Sequence, residues 1–413
     1  MVASASKSTT GAPDAAETGA AATLRAVLPY RLAIFTLALT YWCVDIVSPA
    51  LPAIQDALAL SGTGAGLVFA LFFAGRLISN LPAAFLVDRV GPRATAGIGA
   101  GALCLGSLLA ASATTPLVLL SGRSIQGAGV ALLVTAGLLS LIRARPAGGA
   151  AMTAFQVAAG TGGIVGLWSG GALTSSVGWR AVFLLVALLA GVILSVTVLS
   201  RGANRTRLQA SPMATPKTVE ATATPGPELP RFGMSGALFA NVLCYANYSV
   251  FVVALPLYAD SRFDVSAGQL AALQVTITIA HLLAAFPAGR LIRLRGATGA
   301  LAVGFGLTAL SLPLALAAPS AVWIGLPLLI YAAGQVTCGS AAGDLVLRLG
   351  GQGGKAVGLH RLSSDLGLVL GPAAVGILAD AAGVGAPFVA LSFLAALASG
   401  ITLLRRPRPV SAL

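Results

Sequence analysis

Charge is scarce in this chain. Only 9% of its 413 residues are Asp, Glu, Lys or Arg, against about 25% in a soluble domain. So few charges cannot cover the surface of a folded soluble protein this long, which excludes an ordinary cytosolic enzyme. The opposite shortage, of apolar residues, marks disordered chains. It is absent here, since 57% of the residues are hydrophobic and Gly adds another 50.

Cysteine and histidine are also few. Cys43, Cys104, Cys244 and Cys338 each lie inside an apolar run, and no Cys-x-x-Cys pair occurs. Neither a disulfide framework nor a zinc site is expected, and the thiols read as small apolar fillers. With no His/Cys/carboxylate cluster at ligand spacing, no metal site and no cofactor are expected. No G-x-S-x-G elbow and no phosphate-binding P-loop is present, so neither hydrolase chemistry nor direct ATP coupling has support. Residues 1–22, rich in Ala, Ser, Thr and Gly, lack the basic start, short apolar core and cleavage site of a signal peptide.

What the chain does have is long apolar runs. A helix needs about 20 mostly apolar residues to span a bilayer. Segments of that kind occupy 31–54, 64–87, 94–113, 117–142, 150–173, 181–200, 234–257, 267–292, 297–317, 321–347, 356–379 and 386–404. They are continuously apolar, whereas strands of a membrane barrel alternate. The expected class is an all-α membrane protein. One connection is long and polar, from Arg201 to Pro230, with five prolines and many Ser and Thr. The expected organisation is a disordered cytoplasmic tail (1–30), six helices (31–200), a cytoplasmic linker (201–233), six more helices (234–404) and a short tail (405–413).

Net charge is +13, which in a soluble protein would suggest nucleic acid. Here its distribution is a topology signal. Put both termini and the linker in the cytoplasm. Of the 25 Lys and Arg residues, only Arg180 and Arg262 then fall outside, and Arg76, Arg123 and Arg361 lie within segments. The other 20 are inside, as the positive-inside rule requires. The expected location is the plasma (inner) membrane, with lipid as a partner and nucleic acid excluded.

The two sets of six repeat. Ala50-Leu51-Pro52 recurs as Ala254-Leu255-Pro256, an offset of 204. Arg89-Val90-Gly91 aligns with Leu294-Arg295-Gly296, and Gly166 and Gly171 with Gly371 and Gly376, at 205. A constant offset indicates duplication of a six-helix unit. Parallel repeats with a site between them at the midplane characterise facilitator-type secondary transporters.

The motifs carry a specific resemblance. After the second segment stands Ala84-Phe85-Leu86-Val87-Asp88-Arg89-Val90-Gly91-Pro92-Arg93. It resembles the G-x-L-x-D-R-x-G-x-R/K motif of the major facilitator superfamily, with Asp88, Arg89, Gly91 and Arg93 matching and Ala84 in place of the first Gly. Arg123-Ser124-Ile125-Gln126-Gly127-Ala128-Gly129 in the fourth segment is similar to that family's R-x-x-Q-G-x-G motif. The fifth segment carries Gly162, Gly166, Gly170 and Gly171, similar to the antiporter motif of its drug-efflux members, with Leu167 where they have Pro. These glycines also read simply as small residues that let helices touch. Asp45 before Ala50-Leu51-Pro52 resembles the first helix of drug–proton antiporters. The resemblance covers nearly the whole chain. It implies the major facilitator fold, twelve transmembrane helices in two pseudo-symmetric six-helix bundles. It also implies a gating role for Asp88, Arg89, Gly91 and Arg93, and a link between Arg123 and proton coupling.

Ionisable residues deep in a membrane usually face a cavity and pair. Asp45 lies fourteen residues beyond Arg31, about 21 Å in at the helical rise of 1.5 Å. Arg76 lies twelve before Asp88, about 18 Å in. Similar depth on consecutive segments lets these two pair. His281 occupies the equivalent of Arg76 in the second repeat, or is a core histidine bonded to a neighbouring carbonyl. Helical spacing adds Tyr41 and Ser48 to the face of Asp45, Asn80 to that of Arg76, and Gln274 and Thr278 to that of His281. Asn241, Tyr245 and Tyr248 share a face of the seventh segment. Arg361 and Asp365, one turn apart, with Asp344 nearby, form either a structural ion cluster or a gating element.

Three functions fit. The first is proton-coupled efflux of small amphiphilic compounds by alternating access, with Asp45 as proton carrier and the protein acting as a monomer. The second is uptake or exchange of a small anion. The third is a non-transporting membrane sensor.

Overall fold

A computed structural model describes residues 33–144, 150–199, 233–350 and 354–404. The two tails lie outside the described residues, as does the linker apart from Gly233. Among the described residues every regular element is a helix. In chain order these are α1 Ala33–Asp45, α2 Leu51–Leu58, α3 Gly62–Ala111, α4 Pro116–Ala144, α5 Ala150–Ser176 and α6 Trp179–Leu199. Then follow α7 Met234–Ser249, a π-helical turn Val250–Ala254, α8 Leu255–Phe263, α9 Ala267–Leu316, α10 Ala321–Gly350, α11 Gly354–Ala382 and α12 Ala386–Leu404.

Among the described residues eight helical stretches are long and apolar enough to cross a membrane, α7, the π-helical turn and α8 counting together as one. Two of these, α3 and α9, have 50 residues each. Each joins two segments that the sequence reading separates. A straight helix of that length would measure about 75 Å, far more than a bilayer's apolar core of about 30 Å. Both break at a glycine with positive φ, Gly91 (φ 82°) and Gly296 (φ 70°). That backbone region costs a residue with a Cβ and is open to Gly. Beyond Gly91 the chain folds back. Gly127 of α4 lies against Phe72 in the first arm of α3, and Gly129 against Gly99 and Leu103 in the second.

The first segment also differs from expectation. It is not one helix over 31–54 but α1, a tight turn at residues 46–50, and α2. Pro49 has no N–H to donate, and Ser48 and Leu51 each precede a proline, which disfavours their helical conformation. The seventh segment is interrupted at the equivalent place by the π-helical turn, and it runs past its expected end at 257 to Phe263.

Backbone conformation repeats through the chain. Left-handed Ala59 and Asp264, the breaks at Gly91 and Gly296, and positive-φ Gly178 and Gly383 are each 205 residues apart. So are Ser61 and Ser266, whose hydroxyls cap α3 and α9 by accepting from the Gly64 and Gln269 N–H groups.

Small residues set the packing. In lipid no hydrophobic drive pulls helices together, so close van der Waals approach must do it. Gly162, Gly166 and Gly170 lie on Ala38, Trp42 and Ile46, so α5 rests directly on the α1 backbone and the turn after it. Large apolar side chains point outward instead, with Leu184, Leu188, Val389 and Phe393 exposed on α6 and α12.

Candidate functional site

Polar side chains gather where the helices of 33–199 meet those of 233–404. Asp45 ends α1. The Tyr248 hydroxyl of α7 donates to its Oδ1 at 2.5 Å, and its Oδ2 lies against Gly163 of α5. Among the described residues Asp45 has no ion-pair partner. The expected Asp45–Arg76 pair is therefore not formed.

Arg76 instead pairs with Asp365 of α11. Asn80, one turn along α3, donates to the second oxygen of the same carboxylate. The Arg76 guanidinium also lies over the Phe73 ring, 4.9 Å from its centre. This corrects a second expectation. Asp365 is held by the other set of helices rather than by Arg361 on its own. Nor does Asp344 join the cluster, since Arg348 bonds it at 2.7 Å one turn along α10. Tyr41 lies within electrostatic reach of Arg76, Arg361, Asp365 and Asp45. Tyr245 stacks edge-on against His360, ring centres 6.2 Å apart.

Below Asp45 the two interrupted segments join. Pro256 cannot donate, so the Val252 carbonyl loses its α-helical partner and the Phe251 carbonyl its π-helical one. Side chains replace both donors. Ser48 Oγ donates to the Val252 carbonyl at 3.2 Å, and Gln274 Nε2 donates to the Phe251 carbonyl at 2.8 Å and to Ser48 Oγ at 2.6 Å. Gln274 is thus fully enclosed between elements and not on a cavity wall. His281, two turns along α9, is half-buried and makes no hydrogen bond or ion pair among the described residues.

Arg123, which the resemblance links to proton coupling, lies apart from these polar groups. It is completely enclosed between α4 and α3. Its Nε donates to the Val68 carbonyl at 3.0 Å and its Nη1 to Gln126 at 2.8 Å. Its guanidinium lies over Phe72, 4.4 Å from the ring centre. Gln126 in turn donates to Ser107 at 2.8 Å. The spacing of Arg123 and Gln126 thus builds one network binding α4 to both arms of α3.

The loop at Gly91 is looser. Arg93 donates to the Thr197 carbonyl of α6 at 3.1 Å. Asp88 and Arg89 are exposed, and Asp88 forms no ion pair among the described residues.

Contacts between the two sets of helices continue to one end of the molecule. Asp380 of α11 accepts from the Gly62 N–H at 2.6 Å, the Thr63 N–H at 2.8 Å and the Thr63 hydroxyl at 2.6 Å. A carboxylate of one set thereby caps the first helix arm of the other. Gly66 lies against Pro372 and Gly376, and Gly171 against Ala267 and Ala271. Sequence reasoning misses Asp380. Nothing local marks it, because its partners lie more than 300 residues away.

Known proteins resemble the chain in both sequence and fold. Residues 33–234 and 237–413 match the family model described as Major Facilitator Superfamily. The uncharacterized MFS-type transporter EfpA of Mycobacterium tuberculosis is 34% identical over 141 residues, 33% of this chain and 26% of EfpA. The multidrug resistance protein Stp of the same organism is 30% identical over 156 residues, 37% of this chain and 29% of Stp. The chain thus spans about a quarter of the length of the curated relatives it matches. A crystal structure of the nucleoside transporter NupG superposes with a TM-score of 0.69 at 13% identity, covering 91% of this chain and 98% of that one.

Proposed function

The chain belongs to the major facilitator superfamily of multi-pass membrane transporters, and from that membership we propose that it expels small amphiphilic compounds in exchange for protons. The single observation that carries this reading is Asp45. It is an acid in the interior of the helix assembly whose described partner is a tyrosine hydroxyl from the other set of helices, with no cation within ion-pair distance among the described residues. Burial favours the neutral form of a carboxyl group, whereas a nearby cation favours the ionised form. A cycle that moves Asp45 between two such settings loads a proton on one side and releases it on the other.

The proposed architecture is twelve spans in two six-helix bundles, 31–200 and 234–404. Each of α3 and α9 supplies two spans, and the Gly91 and Gly296 turns lie on the same face. Both termini and the linker are placed in the cytoplasm of a plasma-membrane protein that works as a monomer. In that orientation the joined end, with Asp380 on Gly62 and Thr63, is the outer one. The polar cluster of Asp45, Tyr41 and the Arg76–Asp365 pair then lies on the inward side of that seal. The Gly91 loop, with exposed Asp88 and Arg89, is free to latch when the halves rock. Similarity to the multidrug resistance protein Stp supports efflux over uptake.

The test is transport by purified protein in sealed vesicles. An imposed proton gradient is expected to drive a panel of lipophilic drugs against their own gradient, with counterflow of protons. Drug movement indifferent to the proton gradient contradicts the coupling. No movement of any compound contradicts the efflux reading.

A further inference from the structure

Where α3 meets α11, Arg76 and Arg361 lie around a single carboxylate, that of Asp365. Arg76 and Asn80 both hold the Asp365 carboxylate. Arg361 precedes Asp365 by four residues on α11, so the two side chains leave the same face of the helix, toward α3. Arg361 lies within electrostatic reach of Arg76, Asp365 and Tyr41. Yet no carboxylate is within ion-pair distance of it among the described residues. Asp365 is already engaged twice, and Asp344 belongs to Arg348.

The Arg361 guanidinium is not enclosed either. Arg361 is half-buried, and none of its nitrogens is among the enclosed polar atoms that lack a partner. An unpaired cation at this depth is costly unless it faces a water-filled space or gains a counter-ion. One turn nearer the start of α11 than Asp365, it is met before the Arg76–Asp365 pair by a solute entering from the Gly91 end. Aromatic rings border the same space. Half-buried Tyr41 and Tyr245 lie within reach of each other and of Arg76. Binding pockets of small molecules combine such apolar rings with a few fixed polar groups.

We propose that Arg361 anchors the anionic group of the transported compound, an aromatic organic acid whose ring lies between Tyr41 and Tyr245. This rests on the efflux reading and narrows it. A guanidinium presents a planar fork of donors that matches a carboxylate. An inside-negative membrane potential also favours the exit of an anion.

Binding and transport are measured separately. Purified protein in detergent is titrated with aromatic carboxylic acids, each paired with its neutral amide, and with tetraphenylphosphonium. Wild type, R361Q and R361K are compared, each first shown to be monodisperse and cooperatively unfolding. At least one acid is expected to outbind its amide tenfold or more. R361Q is expected to lose that preference, and R361K to recover part of it. The assignment is overturned if no acid outbinds its amide, or if R361Q keeps the preference. Vesicle transport decides the underlying reading on its own. Movement of tetraphenylphosphonium with protons, without any acid preference, leaves efflux standing and removes the role of Arg361. Acid preference without movement of any probe keeps the anchor and removes efflux.

Discussion

Ser48 donates a hydrogen bond to the carbonyl of Val252, 3.2 Å away, and the two residues stand 204 positions apart, the offset at which Ala-Leu-Pro repeats. Equivalent points of the repeat therefore touch. Each lies where its segment departs from the α-helix, in the turn at residues 46–50 and in the π-helical turn Val250–Ala254. Pro256, four residues beyond Val252, removes the N–H that would bond its carbonyl in an α-helix, and the Ser48 hydroxyl of the other repeat supplies the donor.

The Arg76–Asp365 pair should behave as a unit. Removing one partner leaves the other charge buried, which costs about 3–5 kcal/mol, whereas removing both costs far less. Single R76Q and D365N proteins are expected to unfold in detergent at clearly lower temperature than wild type, and R76Q/D365N nearer to wild type. A double-mutant cycle on thermal unfolding measures this coupling. Additive effects would show the pair to be energetically idle.

Asp380 should hold the outer end closed. D380A strips the Gly62 and Thr63 N–H groups of their acceptor, a capping loss of about 0.5–2 kcal/mol. An equilibrium between inward- and outward-open forms then shifts up to about thirtyfold toward the outward-open form. Spin labels at Ala57 and Ala381 are expected to report a longer-distance population that grows in D380A. An unchanged distance distribution would remove Asp380 from gating.

Gly166 should tolerate no side chain of any size. A Cβ there would lie 2.7 Å from the Trp42 carbonyl oxygen, and overpacking of this kind costs about 1–3 kcal/mol. G166V is expected to lower the unfolding temperature. G101V is the control, since a Cβ at Gly101 meets nothing within 4 Å. Equal losses from both would mean that α5 does not depend on close contact with α1.

Much of this is legible in the sequence, for identifiable reasons. Apolar runs and the charge distribution reflect transfer energies, which act residue by residue and so leave a local record. The offset of 205 also survives in local sequence, and it marks Gly91 and Gly296 as equivalent turns. Partner choice leaves no such record. Asp45, Arg76, Arg361 and Asp365 are recognisable as buried charges, but depth alone cannot rank partners across two sets of helices. Sequence proximity favours Asp45 with Arg76 and Arg361 with Asp365. Packing of α3 against α11 decides otherwise, bringing Arg76 to Asp365 and leaving Tyr248 for Asp45. Sequence likewise marks Arg123 as lying within a segment, but not the α3 backbone that encloses it.

The most direct test is substrate-driven proton movement in sealed vesicles containing wild-type or D45N protein, with a pH-sensitive dye inside and an imposed gradient of a transported compound. Wild type is expected to move protons opposite to the compound. D45N is expected to bind the compound and to lose at least nine-tenths of the coupled proton flux, on the order of the tenfold change that about 1.4 kcal/mol produces. Undiminished proton movement in D45N would contradict Asp45 as the carrier, and with it the proposed mechanism.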